Sequence, residues 1–132
     1  MVERLSFDTT FFIDLQKERR RDGSRLAHTF LAEHSAAGMF ISAIALGEFA
    51  EGFSSLTDPN LLRLISALEV LQVDQEVSLI YAANARFLRE KGMLIGSNDL
   101  WIGSCAVRNR MPLVTRNAKH FKRILEIEVI EY

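Results

Sequence analysis

Five short apolar runs, each separated from the next by a stretch of helical spacing, constrain the fold more than any other feature of this sequence. They are Leu5-Ser6-Phe7, Met39-Phe40-Ile41-Ser42, Val70-Leu71-Gln72-Val73, Pro112-Leu113-Val114-Thr115 and the segment from Ile127 to Ile130. Runs this short and this apolar read as buried strands. Strands alternating with helices pair in parallel through crossovers. The expected fold class is therefore α/β: a three-layer α/β/α sandwich with a short, mainly parallel central sheet, one domain over residues 1–132. The composition, 48% hydrophobic and 25% charged, suits a packed core and not a disordered chain.

The helices carry their own punctuation. Thr9 to about Arg20 holds Phe11, Phe12 and Leu15, and a basic cluster ends it at Arg21. Asp22-Gly23-Ser24 breaks the chain, with Ser24 placed to cap a helix from Arg25 to His34. Ser42 can cap a helix from Ala43 to about Ser54, and Asp58-Pro59 opens the next. Asp74 caps a helix from Gln75 to Lys91 that Gly92 ends. Gly96-Ser97-Asn98-Asp99 opens a helix to about Arg110, and Asn117 to Ile124 reads as a short last helix.

Composition also narrows the function. A single cysteine, Cys105, excludes an internal disulfide and a thiolate metal cluster, and its apolar neighbours make it a core residue. No apolar run approaches the roughly 20 residues of a membrane span. Asp8 and Asp14 interrupt the apolar start that a signal peptide needs, so a cytoplasmic location is expected. The net charge of −1 conceals a segment, Arg86 to Arg123, with nine bases and only two acids, a balance of +7. Such a segment is a solvated face or a nucleic-acid contact.

Three acids have surroundings unusual for surface acids. Asp8 follows the first strand, where it caps a helix or faces the crevice in which open α/β sheets bind ligands. Glu48 interrupts an apolar helix, on the Ile44–Ala45 face or at the solvent edge beside Glu51. Asp99 leads another apolar helix, where Ser97 or Asn98 could do the capping instead. Beyond the fourth strand come Thr115, Asn117 and His120, with no second histidine or cysteine at zinc spacing. Carboxylates about 4 Å apart repel by roughly 4 kcal/mol at an effective dielectric of about 20, so one protonates or a cation fills the space. All-oxygen ligands favour Mg²⁺, with Mn²⁺ able to substitute, and a Mg²⁺ ion held this way also takes phosphate oxygens. A dehalogenase-type phosphatase would need an acid at Thr10, and a P-loop or dinucleotide site a glycine-rich turn after the first strand.

Four blocks, in this order and spacing, resemble the PIN-domain ribonucleases, specifically the VapC-type toxins of toxin–antitoxin pairs. They are Phe7-Asp8-Thr9-Thr10-Phe11-Phe12-Ile13-Asp14-Leu15, Ile41-Ser42-Ala43-Ile44-Ala45-Leu46-Gly47-Glu48, Asn98-Asp99-Leu100-Trp101-Ile102-Gly103 and Leu113-Val114-Thr115-Arg116-Asn117-Ala118-Lys119-His120-Phe121. The resemblance implies a Mg²⁺-dependent endoribonuclease whose acids fall on Asp8, Glu48 and Asp99. Asp8 and Asp99 would hold the metal, and Glu48 would hold it through water or orient the attacking water. The fourth position, often aspartate, is Asn117, which brings no charge and keeps alive a PIN-like RNA- or protein-binding module with weak or no catalysis. Thr115 matches a hydroxyl position lining the site, while Arg116, Lys119, His120 and Arg108 would contact RNA. A homodimer and a small antitoxin whose tail blocks the acidic groove are also implied. Thr9 and Thr10 are expected to support Asp8, and Asp14 to be an ordinary helix-surface acid.

Overall fold

The computed structural model describes residues 2–20 and 23–132; Arg21, the end of the basic cluster, and Asp22, the start of the predicted break, lie outside the described residues. Five strands form one parallel sheet: β1 (Arg4–Phe7), β2 (Gly38–Ser42), β3 (Glu69–Leu71), β4 (Leu113–Thr115) and β5 (Val129–Glu131), in the order β3-β2-β1-β4-β5. The connections carry α1 (Thr9–Arg20), α2 (Leu26–Glu33), α3 (Ala43–Glu51), α4 (Pro59–Ala67), α5 (Gln75–Glu90), α6 (Ser97–Arg108) and α7 (Ala118–Phe121). The expected α/β sandwich is what the chain forms.

Strand order follows from crossover handedness. The chain steps outward from β1 to β2 to β3, then returns to place β4 on the other side of β1. Right-handed crossovers in opposite directions put their helices on opposite faces of the sheet. Side-chain alternation agrees. Phe7 meets Phe11, Phe12 and Phe30 of α1 and α2, with the Phe7 and Phe11 ring centroids 4.6 Å apart. On the other face Phe40 and Leu71 pack with Val77 of α5 and with Trp101 and Cys105 of α6. Between those two helices Tyr81 and Trp101 stack at 3.9 Å.

Local capping was legible where the donor and acceptor lie close in sequence. Ser42 accepts from Ala45 N–H, Asp58 from Asn60 N–H and Asp74 from Val77 N–H, and Gly92 has φ +65°. The N-terminus of α2 differs from expectation. Ser24 does not cap it; Glu18, reaching across from α1, accepts from Ala27 N–H (2.9 Å) and His28 N–H (3.0 Å). Burial works against the Glu18 charge, but these amides and the His28 ring outweigh it and hold the carboxyl below its ordinary range. The last helix is also shorter than the Asn117-to-Ile124 reading, since α7 ends at Phe121.

Two helix glycines separate sharply by the space around them. Gly47 of α3 has nothing within 4 Å of an added Cβ, whereas at Gly103 of α6 the added carbon would run into Ile124 Cδ1. Gly47→Ala is expected to raise stability by about 0.5–1 kcal/mol through helix propensity. Gly103→Val is expected to lower it by about 1–3 kcal/mol through overpacking. Urea unfolding of the two variants measures both, and equal midpoints would contradict the packing assigned to α6.

Candidate active site

The strand order reverses between β1 and β4, and Asp8 stands at the carboxyl end of β1 beside that reversal. Its amide donates to Val114 O (3.0 Å), extending the β1–β4 ladder by one residue. That ladder brings Thr115, 107 residues away, against the Asp8 carboxylate: Thr115 Oγ1 donates to Asp8 Oδ2 at 2.8 Å. Thr10 Oγ1 donates to the same oxygen at 3.0 Å. Asp8 is 3% exposed. Its side chain is thus held by hydroxyls at a switch point, the crevice in which parallel sheets bind ligands.

Glu48 arrives from the other neighbour of β1. Ser42 ends β2 and caps α3, and Glu48 lies in the following helix, close enough for Thr9 Oγ1 to donate to its Oε1 (2.9 Å). Asn98 Nδ2 donates to Oε2 (3.1 Å). Thr9 therefore serves both acids, its hydroxyl on Glu48 and its amide on Asp8, while Thr10 supports Asp8 as expected. Ser97 and Asn98 do not cap α6, whose N-cap is Gly96 with no side-chain bond. Asp99 sits in that first turn, half-buried, with His120 Nδ1 3.7 Å from its Oδ2.

The electrostatics register the crowding. Burial pushes the Asp8 carboxyl above its ordinary value, against the Thr115 and Thr10 hydrogen bonds and the Thr9 amide, and the Glu48 charge adds to the rise. Burial also raises Asp99, and the Asp8 and Glu48 charges add to it while His120 opposes. These acids are close enough to feel one another. Among the described residues, however, no three acidic, histidine or cysteine side chains converge on one point. The donors are all oxygen, and the arrangement fits a hard divalent cation that keeps waters and is held by one or two carboxylates, not a closed protein cage.

The remaining predicted residues divide by location. Asn117 is exposed and precedes α7; its backbone N–H donates to Thr115 Oγ1 (3.0 Å), which sets the Thr115 proton toward Asp8. A broad open depression of about 720 Å³ runs past Arg116, Asn117, Lys119, His120, Lys122 and Arg123. Arg108 is not among the groups brought to the cleft. It lies nine residues beyond Asp99 in α6, roughly 13 Å along the axis. Its Nε is 2.6 Å from Glu76 Oε2, a close charge contact without hydrogen-bond alignment, and 3.9 Å from Asp74 Oδ2. Those acids at the start of α5 draw Arg108 to them.

Asp14 overturns its reading as a surface acid. It is buried, accepting from Arg116 Nη1 (2.7 Å) and Tyr132 OH (2.6 Å). Nothing near Asp14 in sequence signals this, because its partners are 102 and 118 residues away. Asn98 was also missed, though its place one residue before Asp99 put it on the same helical turn.

The raised carboxyls have a consequence for stability. A carboxyl whose folded value lies above its unfolded one favours folding at low pH, and that contribution is lost as pH rises through the folded value. In metal-free buffer the protein is expected to lose stability as pH rises from the ordinary carboxylate value of 3.8 through the raised values of Asp8 and Asp99. Asp99→Asn is expected to flatten that dependence, and Tm against pH in EDTA reads it. An unchanged slope in the variant would contradict the strain assigned to this cluster.

Known proteins resemble this chain in sequence and in fold. The PIN domain family pattern matches residues 6–126. Ribonuclease VapC1 of Methanocaldococcus jannaschii is 32% identical over 124 residues, covering 93% of this chain and 82% of that one. The VapBC-1 structure from nontypeable Haemophilus influenzae superposes with TM-score 0.81 at 26% identity, over 97% of each chain. The VapBC2 complex of Rickettsia felis, bound to a DNA fragment from their promoter, gives 0.79 at 25% identity, over 97% of this chain and 98% of that one. The chain belongs to the PIN-domain family and is of the VapC type.

Proposed function

We propose that this chain is a Mg²⁺-dependent endoribonuclease, with Mn²⁺ able to substitute, and the toxin of a toxin–antitoxin pair. The observation that carries the reading is the carboxylate cluster at the β1–β4 switch point, where Thr115 and Thr10 hold a buried Asp8, Thr9 holds Glu48, and burial first and the neighbouring charges after it raise the Asp8 and Asp99 carboxyls. Support for the substrate and partner comes from relatives named ribonuclease VapC and from similar structures that are VapBC complexes.

Asp8 and Asp99 would hold the ion, with Glu48 reaching it through water. When bound, the ion neutralises charge building on the phosphate oxygens during in-line attack. The chain's own groups do the rest. Glu48, fixed on both oxygens by Thr9 and Asn98, orients the attacking water. Thr115, itself held by the Asn117 amide, keeps Asp8 turned into the crevice. Lys119, Arg116 and His120 line the open depression that receives the flanking RNA backbone, and affinity from such contacts weakens with salt. His120, 3.7 Å from Asp99, also offsets part of the repulsion in the cluster. The same reading takes the chain to be a cytoplasmic homodimer, with a small antitoxin covering the acidic groove. No helix of the described residues is long and apolar enough to cross a membrane.

A second reading, an RNA- or protein-binding module with weak or no catalysis, draws on Asn117, which brings no charge to the position that the family resemblance gives as often aspartate. The two readings part in a cleavage assay. Incubation of total RNA with Mg²⁺ is expected to give defined cuts that disappear in EDTA and fall by about 10²–10³-fold in Asp8→Ala and Asp99→Ala. Wild-type rates in purified Asp8→Ala would sink the enzyme reading. Binding without turnover at any Mg²⁺ or Mn²⁺ concentration would favour the module.

A further inference from the structure

Two carboxylate residues are buried among the described residues, Asp8 and Asp14, and the chemistry above uses only the first. Asp14 lies in α1, six residues after Asp8, with both oxygens engaged: Oδ1 by Arg116 Nη1 at 2.7 Å and Oδ2 by Tyr132 OH at 2.6 Å. The Tyr132 ring is fixed in turn, edge-on to Phe11 at 5.0 Å and near Phe30 at 6.4 Å. Burial and the Asp14 carboxylate keep its phenol protonated, so it remains a donor. The network therefore has a rigid floor.

Arg116 is the exposed partner of the network. Its side chain is 53% exposed, and among the described residues Asp14 is its charge partner. It lines the open depression that also runs past Asn117 and His120, and the His120 ring stands 3.7 Å from Asp99, so Arg116 borders the acidic crevice. Only one nitrogen is committed to Asp14, and a guanidinium carries five N–H donors in a planar fork suited to phosphate. Beside it a cavity of about 290 Å³ opens between Asp14, Lys17, Glu18, Leu26, Arg116 and Tyr132, and the Glu18 carboxylate is itself taken up by the Ala27 and His28 amides. A carboxylate serving only to neutralise Arg116 would need neither burial nor a second anchor. A buried, doubly anchored carboxylate sets direction, and pre-setting an arginine reduces the entropy lost on binding.

We propose that Asp14 is a positioning residue: with Tyr132 it fixes Arg116 to grip an RNA backbone phosphate beside the acidic crevice, and the flanking nucleotide lies over the Lys17–Tyr132 cavity. The inference rests on the reading of the acidic crevice as an RNA site.

The test is a double-mutant cycle on binding, read by fluorescence anisotropy with a mixed-sequence single-stranded oligoribonucleotide in EDTA across a KCl series. In the wild-type background Arg116→Gln is expected to weaken binding about five- to tenfold at low salt and to reduce the salt slope by about one phosphate contact. In the Asp14→Ala background the same change is expected to cost less than about twofold, because the unheld guanidinium no longer meets the phosphate in register. Comparing within each background removes the attraction gained simply by deleting a negative charge. Asp14→Asn, which keeps an oxygen for Arg116, should restore part of the Arg116 effect; if the alanine protein does not fold, an Asn-background cost below the wild-type cost carries the test. An Arg116→Gln penalty of equal size in both backgrounds, or no penalty in wild type, overturns the proposal. Coupling without Mg²⁺-dependent cleavage would remove the ribonuclease reading and leave this one. Cleavage without coupling would do the reverse.

Discussion

The ladder between β1 and β4 is the constraint on which the rest of the molecule depends. Ser6 faces Leu113 and Phe7 faces Val114, and the Asp8 amide adds one more bond to Val114 O. That register sets Thr115 against Asp8. A slip of one residue would turn Thr115 to the opposite face and bring Val114 or Arg116 to a buried carboxylate. The same ladder forms the switch point: β2 and α3 approach from one side of β1 with Glu48, and β4 and α7 from the other with Asn117 and His120.

A buried carboxylate in this position costs stability when it is charged. Phe7, Phe11 and Phe12 are almost wholly excluded from solvent next to an equally buried Asp8. Two hydroxyls on one oxygen soften the charge but do not overcome burial, so the carboxyl remains raised. Charged neighbours with raised carboxyls define a place where a cation is worth more than on the surface. The packed aromatic layer below and the polar bonds above hold these groups apart from one another and together at one crevice.

The fold was readable from sequence because its signals are local. Apolar runs marked the five strands to within a few residues, and the Ser42, Asp58 and Asp74 caps lie two or three residues from the amides they meet. Asp8, Glu48 and Asp99 stood out because each interrupts or ends an apolar stretch. What escaped was long-range. Glu18 replaced Ser24 as the cap of α2 from nine and ten residues away, and Asp14 drew partners from beyond β4. That Arg108 lies away from the crevice escaped for the same reason: its one-signed sequence neighbourhood hid Asp74 and Glu76, which it meets at the start of α5. Charge counts along a chain carry no information about which opposite charge folding will bring alongside.

The proposal at the centre of this account is that Asp8 and Asp99 hold one divalent cation, with Glu48 reaching it through water. Paramagnetic broadening of backbone amide resonances by substoichiometric Mn²⁺ locates such an ion directly. The account predicts broadening centred on Asp8 to Thr10, Glu48, Asn98 to Asp99 and Thr115 to Asn117, reversed by excess Mg²⁺ and lost in Asp8→Asn. Broadening centred instead on other acids, such as Asp74 and Glu76, or unchanged in Asp8→Asn, would contradict it.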